Sequence, residues 1–136
     1  MATTNTLRGF ATVTFFAADH EGARKWYSEL FGIPPYFDKP GYIEFRVGDY
    51  QHEIGIIDAK YAPKGAQPGP GGAMIYWHTD DLKGTLQKLL TMGATEFEPV
   101  TERGEGFITA SVLDPFGNIL GIMYNPHYVA VVAAKK

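Results

Sequence analysis

Hydrophobic and polar positions follow two periods along the chain, first that of a strand and then that of a helix. Residues 11–17 are apolar or β-branched, as in a buried strand. Asp19 follows as a helix N-cap residue, and Gly32 supplies a helix stop. Between them, apolar residues recur at helical spacing: Ala23, Trp26, Tyr27, Leu30 and Phe31. Strand patterns follow at 36–39, 41–47 and 51–58, so the first half predicts one β-α-β-β-β unit.

The same order of elements recurs in the second half. Residues 73–79 form a strand pattern, Asp81 is the N-cap, and Gly93 ends a helix whose apolar face is Leu82, Leu86, Leu89 and Leu90. Strand patterns then cover 95–101, 106–113 and 118–124. The N-cap residues Asp19 and Asp81 lie 62 positions apart. This spacing indicates an internal duplication.

A segment rich in glycine and proline, residues 59–72, separates the two halves and predicts a linker. We expect one α+β domain over residues 1–136. Its parts are module one at about 9–58, the linker at 59–72, module two at about 73–126 and a C-terminal tail at 127–136.

The composition excludes several classes of function. The 136 residues include no cysteine, which excludes disulfides, cysteine-based zinc sites and a thiol nucleophile. The net charge is −3 without a basic stripe, so we expect no nucleic-acid partner. The chain has no apolar run of the ~20 residues that cross a membrane, and its first residues lack the apolar run of a signal peptide. We therefore expect a cytoplasmic protein without a membrane partner.

Three motifs carry a family resemblance: the helix from Asp19 to Gly32, the junction Thr79-Asp80-Asp81-Leu82, and the turn Asp114-Pro115-Phe116-Gly117-Asn118. With them, residues 9–126 resemble the vicinal oxygen chelate superfamily, which includes glyoxalase I, dioxygenases and bleomycin-resistance proteins. The resemblance implies two β-α-β-β-β modules that form a curved, eight-stranded mixed sheet with helices on the convex side. It also implies a ligand on the concave side, often at a dimer interface.

Metal-dependent members of that superfamily carry histidine on the first strand of each module and glutamate or another ligand on the fourth. The corresponding positions here are Thr12, Met74, Gly55 and Gly121. Glycine has no donor atom, threonine is a poor ligand, and a lone methionine suits only soft metals. We therefore predict no metal site of the family type and no cofactor.

Strand alternation predicts which side chains line the concave face. The apolar parity faces the helices, and the other parity carries aromatic, aliphatic and polar groups suited to a small organic molecule. The ligand-binding candidates are Thr12, Thr14, Phe16, Tyr42, Arg46, Met74, Tyr76, Phe107, Thr109, Ser111 and Met123. Gly55 and Gly121 either leave room for a ligand or allow close packing.

Three residues of this face are candidates for acid–base catalysis: Glu53, Glu44 and His78. Each has a structural alternative, such as pairing of Glu44 with Arg46 or a satisfied strand-end position for His78. Glu96, Glu98, Glu102 and Glu105 are interpreted as a solvated edge strand and loop.

Two functions remain open. One is a glyoxalase-like lyase or isomerase that works on a small carbonyl compound without metal. The alternative is a non-catalytic protein that binds a small molecule, as antibiotic-resistance proteins do. Apolar residues that the helices leave uncovered, including Ile57 and Ile119, predict a homodimer.

Overall fold

The computed structural model describes residues 6–65 and 70–135. The chain divides into two compact units, Met1–Ala62 and Pro63–Lys136. Positions 66–69 of the predicted linker lie outside the described residues. The described part of the linker begins with a short 3-10 helix, Ala59–Tyr61. No helix among the described residues is long and apolar enough to cross a membrane.

Unit one is a mixed sheet with one helix, in the predicted β-α-β-β-β order. Its elements are β1 (Thr12–Ala17), α1 (His20–Phe31), β2 (Phe37–Lys39), β3 (Tyr42–Val47) and β4 (His52–Asp58). The strand order is β1-β4-β3-β2, with β1 parallel to β4 and the other neighbours antiparallel.

Unit two repeats this arrangement and adds a third helix. Its elements are β5 (Tyr76–His78), α2 (Leu82–Thr91), β6 (Thr95–Gly104), β7 (Phe107–Leu113), β8 (Ile119–Tyr124) and α3 (Pro126–Lys135). The order β5-β8-β7-β6, with β5 parallel to β8, matches that of unit one. The predicted α+β class and the duplicated module are confirmed, and the eight strands form two four-stranded mixed sheets.

The two helix N-termini are built alike. The carboxylate of Asp19 accepts a hydrogen bond from the Gly22 amide at 2.9 Å, and Asp81 accepts one from Gly84 at 3.1 Å. A Cβ atom on either glycine would lie 2.2 Å from the cap carboxylate. Each cap carboxylate therefore packs closely on the glycine three residues after it, and this local arrangement is the same in both halves.

The turn between β7 and β8 depends on a buried carboxylate. Asp114 is 4% exposed, and its Oδ1 accepts hydrogen bonds from the amides of Phe116 at 2.9 Å and Asn118 at 2.8 Å. Gly117 takes a φ of 90°, which favours glycine. The motif thus closes a tight connection that brings β8 beside β7.

The core of each unit lies between its sheet and its helix, as the apolar parity predicts. In unit one α1 packs on β4, and in unit two α2 packs on β6, β7 and β8. The strand residues buried there are Ile43, Phe45, Ile54 and Ile56 in unit one and Ala110, Val112, Leu120 and Ile122 in unit two.

Two regions differ from the sequence-based expectation. The predicted strand at 73–79 is reduced to the three residues of β5, so Met74 precedes the strand. The predicted tail contains α3, which has no buried residue. The sequence contains a signal for the start of α3, because Asn125 is a favourable N-cap residue and proline follows it at the first helical position. The Asn125 side chain accepts hydrogen bonds from the amides of His127 and Tyr128.

Candidate functional site

We define the open face of each sheet as the face that its helix does not cover. The strand register places the predicted side chains there in transverse rows. Unit one contains the rows Thr12–Glu53–Arg46, Thr14–Gly55–Glu44 and Phe16–Ile57–Tyr42. Unit two contains the rows Tyr76–Gly121–Ser111–Glu98 and His78–Met123–Thr109–Thr101. Phe107 begins β7 with the same parity, whereas Met74 stands outside the paired strands.

Glu53 is held by both of its neighbours in the first row. The Thr12 hydroxyl donates to Glu53 Oε1 at 3.0 Å, and Arg46 Nε donates to Oε2 at 3.3 Å. Arg46 also stacks on the Tyr36 ring, 3.7 Å from its centroid, and donates to the Tyr36 hydroxyl at 2.6 Å. The charge of this carboxylate is therefore compensated by an ion pair.

Tyr42 and Glu44 form a tight pair over Gly55. The Tyr42 hydroxyl donates to Glu44 Oε1 at 2.5 Å. Burial, and then the hydrogen bond to Glu44, raise the pKa of Tyr42 to about 12, so this phenol stays protonated at neutral pH. A Cβ atom on Gly55 would lie 2.6 Å from the Tyr42 hydroxyl oxygen. The tyrosine side chain thus occupies the space beside this glycine.

Unit two contains a second tyrosine–glycine contact and a second tyrosine–carboxylate pair. A Cβ atom on Gly121 would lie 2.6 Å from Tyr76 Cδ1 and 2.7 Å from the Ile75 carbonyl oxygen. The hydroxyl of Tyr76 donates to Glu98 Oε1 at 2.9 Å. Of the two alternatives for these glycines, the structure shows close packing at both.

Glu98 is the site residue that the sequence analysis missed, since it was assigned to a solvated edge strand. Its Oε1 accepts a second hydrogen bond, from the fully buried Ser111 hydroxyl at 2.9 Å. The bonds from Tyr76 and Ser111 lower the pKa of Glu98. Burial, and then the bond to Glu98, raise the pKa of Tyr76. At neutral pH the row therefore holds a carboxylate anion between two hydroxyl donors.

A β-bulge explains why simple alternation fails at Glu98. Glu96 pairs with Val112, which faces the helix, and Glu98 pairs with Ser111, which faces the open side. Between these two pairs β6 contains one residue more than β7. A bulge of this kind reverses the side on which the following residues point. Pro99, directly after Glu98, was the one signal that favoured an irregular edge strand.

His78 joins β5 to the start of α3. Its Nδ1 accepts from the Asn125 amide at 3.1 Å, and Nε2 lies 2.9 Å from Asp80 Oδ1. Because the amide can only donate, Nε2 carries the proton and donates to the carboxylate. The ring also stacks on Tyr128 with centroids 4.7 Å apart, and the side chain is 10% exposed. Both ring nitrogens are therefore engaged within unit two.

The remaining ligand-binding candidates supply hydroxyl and apolar surface. Thr109 Oγ1 accepts from Arg103 Nε at 3.0 Å, and Thr14 is exposed. Phe16, Phe107 and Met123 are each half-buried. Together with the tyrosines they make each open face partly aromatic.

The model of the Glyoxalase/Bleomycin resistance protein/Dioxygenase superfamily matches residues 9–122, and the chain belongs to this superfamily. The match confirms the resemblance found in the sequence. It ends before α3, so α3 lies outside the matched region. A comparison with curated proteins gives no match.

Solved structures share the fold at low identity. A glyoxalase-related enzyme from Fulvimarina pelagi is 21% identical, with a TM-score of 0.72 over 88% of this chain and 90% of that one. A lactoylglutathione lyase from Agrobacterium tumefaciens is 15% identical, with a TM-score of 0.68 over 89% and 96%. A bleomycin resistance determinant encoded on transposon Tn5 is 19% identical, with a TM-score of 0.62 over 87% and 98%.

The residues at the four family ligand positions do not fit a divalent metal. The Thr12 hydroxyl donates a hydrogen bond to Glu53. Gly55 and Gly121 have no side chain, and Tyr42 and Tyr76 occupy the space beside them. Met74 offers only a thioether. Within residues 6–65 and 70–135, no group of three or more His, Cys, Asp or Glu side chains is placed to hold a metal ion.

Proposed function

We propose that this protein binds a small organic molecule on the open faces of its sheets, without the metal of the metal-dependent family members. The observation that carries the proposal is the tyrosine packed against glycine in each sheet, Tyr42 on Gly55 and Tyr76 on Gly121. Each ring takes a position where metal-dependent members carry a ligand, and each hydroxyl is held by a carboxylate. Aromatic walls with a few fixed polar groups are typical of small-molecule sites.

Carboxylate chemistry favours binding over catalysis. A carboxylate acts as a general base at neutral pH when its pKa lies near that pH. Burial without a hydrogen-bond or ion-pair partner raises the pKa of a carboxylate in this way. Glu53 is instead ion-paired to Arg46, and hydrogen bonds lower the pKa of Glu98. Both groups are suited to hold a ligand rather than to accept its proton.

A thermal-shift screen against metabolites and antibiotics, with EDTA or with divalent metals, tests the proposal. A ligand at about 100 times its Kd adds about 2.7 kcal/mol to the free energy of unfolding. We expect the same rise in Tm with EDTA as with zinc, nickel or manganese. Phe107→Ala should reduce the rise, whereas Leu90→Ala, on α2, should not. A rise that EDTA abolishes and zinc restores would contradict metal-free binding.

Proton transfer on a small carbonyl compound is the second candidate, because Glu44, unlike Glu53, has no ion pair within the described residues. Glu44 is half-buried, and a protonated tyrosine lies 2.5 Å from one of its oxygens. The carboxylate would remove a proton from the carbon next to the carbonyl and return one from solvent. The test is the exchange of the α-protons of hydroxyacetone for deuterium in D2O, which NMR measures. Glu44→Gln should abolish catalysed exchange, and Glu29→Gln on α1 should leave it unchanged.

We also propose that the chain acts as a single domain, as a homodimer and in the cytoplasm. The absence of cysteine suits a reducing compartment. Exposed apolar residues beside β1 support association: Leu7 is 88% exposed and Phe10 95%. Cell fractionation with tagged full-length chain tests the location.

A further inference from the structure

The two carboxylate oxygens of Glu98 are used unequally. Oε1 accepts both hydrogen bonds, from Tyr76 and from Ser111. No donor among the described residues reaches Oε2. Because an ionised carboxylate accepts about four hydrogen bonds, Oε2 retains capacity for a donor that the chain does not supply.

The negative charge of Glu98 is also not compensated by an ion pair within the described part of the chain. Its two partners are neutral hydroxyls, whereas Glu53 on the other sheet is paired with Arg46. Arg103 is the cation that acts on Glu98 through space, yet its Nε donates to Thr109. Hydrogen bonds that lower the pKa keep Glu98 ionised at neutral pH.

An aromatic surface lies beside this charge. The Tyr76 side chain packs against Gly121 and reaches across Ser111 to Glu98, so its ring and the carboxylate belong to one transverse row. A flat nitrogen cation can donate hydrogen bonds to a carboxylate and also lie near the face of a tyrosine ring.

We propose that Glu98 binds a nitrogen cation of the ligand, an amidinium, guanidinium or ammonium group, on the open face of the second sheet beside Tyr76. The Glu98 site rests on the proposed function, since it specifies the ligand class for the same face. The cation donates a hydrogen bond to Oε2 and neutralises the negative charge of Glu98, which the two uncharged hydroxyl partners do not.

Benzamidine is the probe, and benzamide is its neutral counterpart of the same shape. Titration of 15N-labelled full-length protein, followed by NMR, should show benzamidine shifting the amides of Tyr76, Glu98 and Ser111. Benzamide should bind at least about tenfold more weakly, because it lacks the charge-assisted hydrogen bond. Absence of benzamidine binding, equal binding of benzamide, or shifts confined to other residues would overturn the proposal.

Three variants separate charge from shape. Glu98→Gln should weaken benzamidine binding at least about tenfold, as loss of a charged partner does. Tyr76→Phe keeps the ring and the carboxylate but removes one of the two hydrogen bonds to Glu98, so it should weaken binding less than Glu98→Gln does. Glu96→Gln, on the other side of β6, is the matched control and should leave benzamidine binding unchanged. Wild-type affinity in Glu98→Gln would overturn the proposal, and the amide spectrum of each variant verifies its fold.

A neutral fragment library, titrated in parallel, keeps the two proposals distinguishable. If neutral fragments bind the open faces while benzamidine does not, the cation site fails and the proposed function stands. If no fragment and no cation shifts open-face residues, both fail.

Discussion

At the residue scale, two tyrosine–carboxylate pairs give the open faces their chemistry. In both pairs the phenol donates and the carboxylate accepts, at 2.5 Å for Tyr42–Glu44 and 2.9 Å for Tyr76–Glu98. Each pair keeps its tyrosine protonated, because ionisation would place two anions side by side. The hydroxyls of these tyrosines are therefore hydrogen-bond donors throughout the neutral range.

The Tyr42 hydroxyl should lose its proton only at high pH. The protein has eight tyrosines, and absorbance at alkaline pH should include one phenol with a midpoint of about 12. Tyr42→Phe should remove one phenol from the component that titrates at high pH. A late component that survives undiminished in Tyr42→Phe would contradict the assignment.

The same shift predicts a pH dependence of stability. Because the folded-state pKa of Tyr42 lies above the unfolded value of about 10, its contribution is complete below about pH 10 and is lost as pH rises towards about 12. Urea unfolding between about pH 8 and 11 should therefore show a smaller loss of stability in Tyr42→Phe than in the wild type.

At the element scale, the central strands β4 and β8 depend on a missing side chain. Gly121→Ala should reduce the free energy of unfolding by about 1–3 kcal/mol, because its Cβ would meet the Tyr76 ring and the Ile75 carbonyl oxygen. Gly55→Ala should cost less, since only the Tyr42 side chain must move. Gly71→Ala, which meets nothing within 4 Å, is the control for urea unfolding. Equal stability of Gly121→Ala and Gly71→Ala would refute the packing account.

The attachment of α3 to β5 depends on His78. His78→Leu removes the acceptor for the Asn125 amide and the stacking on Tyr128. We expect α3 to lose about 1 kcal/mol of local stability, so hydrogen exchange over 126–135 should accelerate while the sheets stay protected. His127→Leu, at an exposed position, should not alter exchange. Unchanged exchange in His78→Leu would show that α3 is held by other contacts.

Sequence periodicity predicted most elements but not every face. Strong period-2 alternation and paired caps located β1 to β4, α1 and α2 closely, because both signals arise from local chemistry. Glu98 was missed because a bulge in β6 is set by pairing with β7, which alternation within one strand does not reveal. The roles of Gly55 and Gly121 also needed the structure, since they depend on where distant tyrosine rings lie.

At the scale of the whole molecule, duplication has kept the backbone plan and changed the open faces. Both units have the same strand order and the same capped helix, yet unit one pairs Glu53 with Arg46 while unit two surrounds Glu98 with hydroxyls. That residues 1–136 form one cooperative domain stays a prediction. A single unfolding transition by fluorescence and by circular dichroism would support it.

Association is the remaining prediction at this scale. Sedimentation equilibrium at micromolar concentration should give twice the chain mass of 15.0 kDa. Phe10→Ser removes a 95% exposed apolar side chain next to edge strand β1 and should shift the mass towards one chain. Val131→Ser, on α3, should leave the mass unchanged. A single-chain mass at every concentration would end the homodimer proposal.

The bulge in β6 also has a consequence for how this protein can change over generations. Because β6 is an edge strand, an insertion or deletion of one residue there disturbs only one row of backbone pairing. Phe97 is the one residue between Glu96 and Glu98, and its deletion would remove the bulge, so that Glu98 follows Glu96 directly and stays opposite Ser111. A change in chain length of a single codon would thus remove the irregularity of the edge strand and keep the carboxylate on the open face, with every core residue untouched.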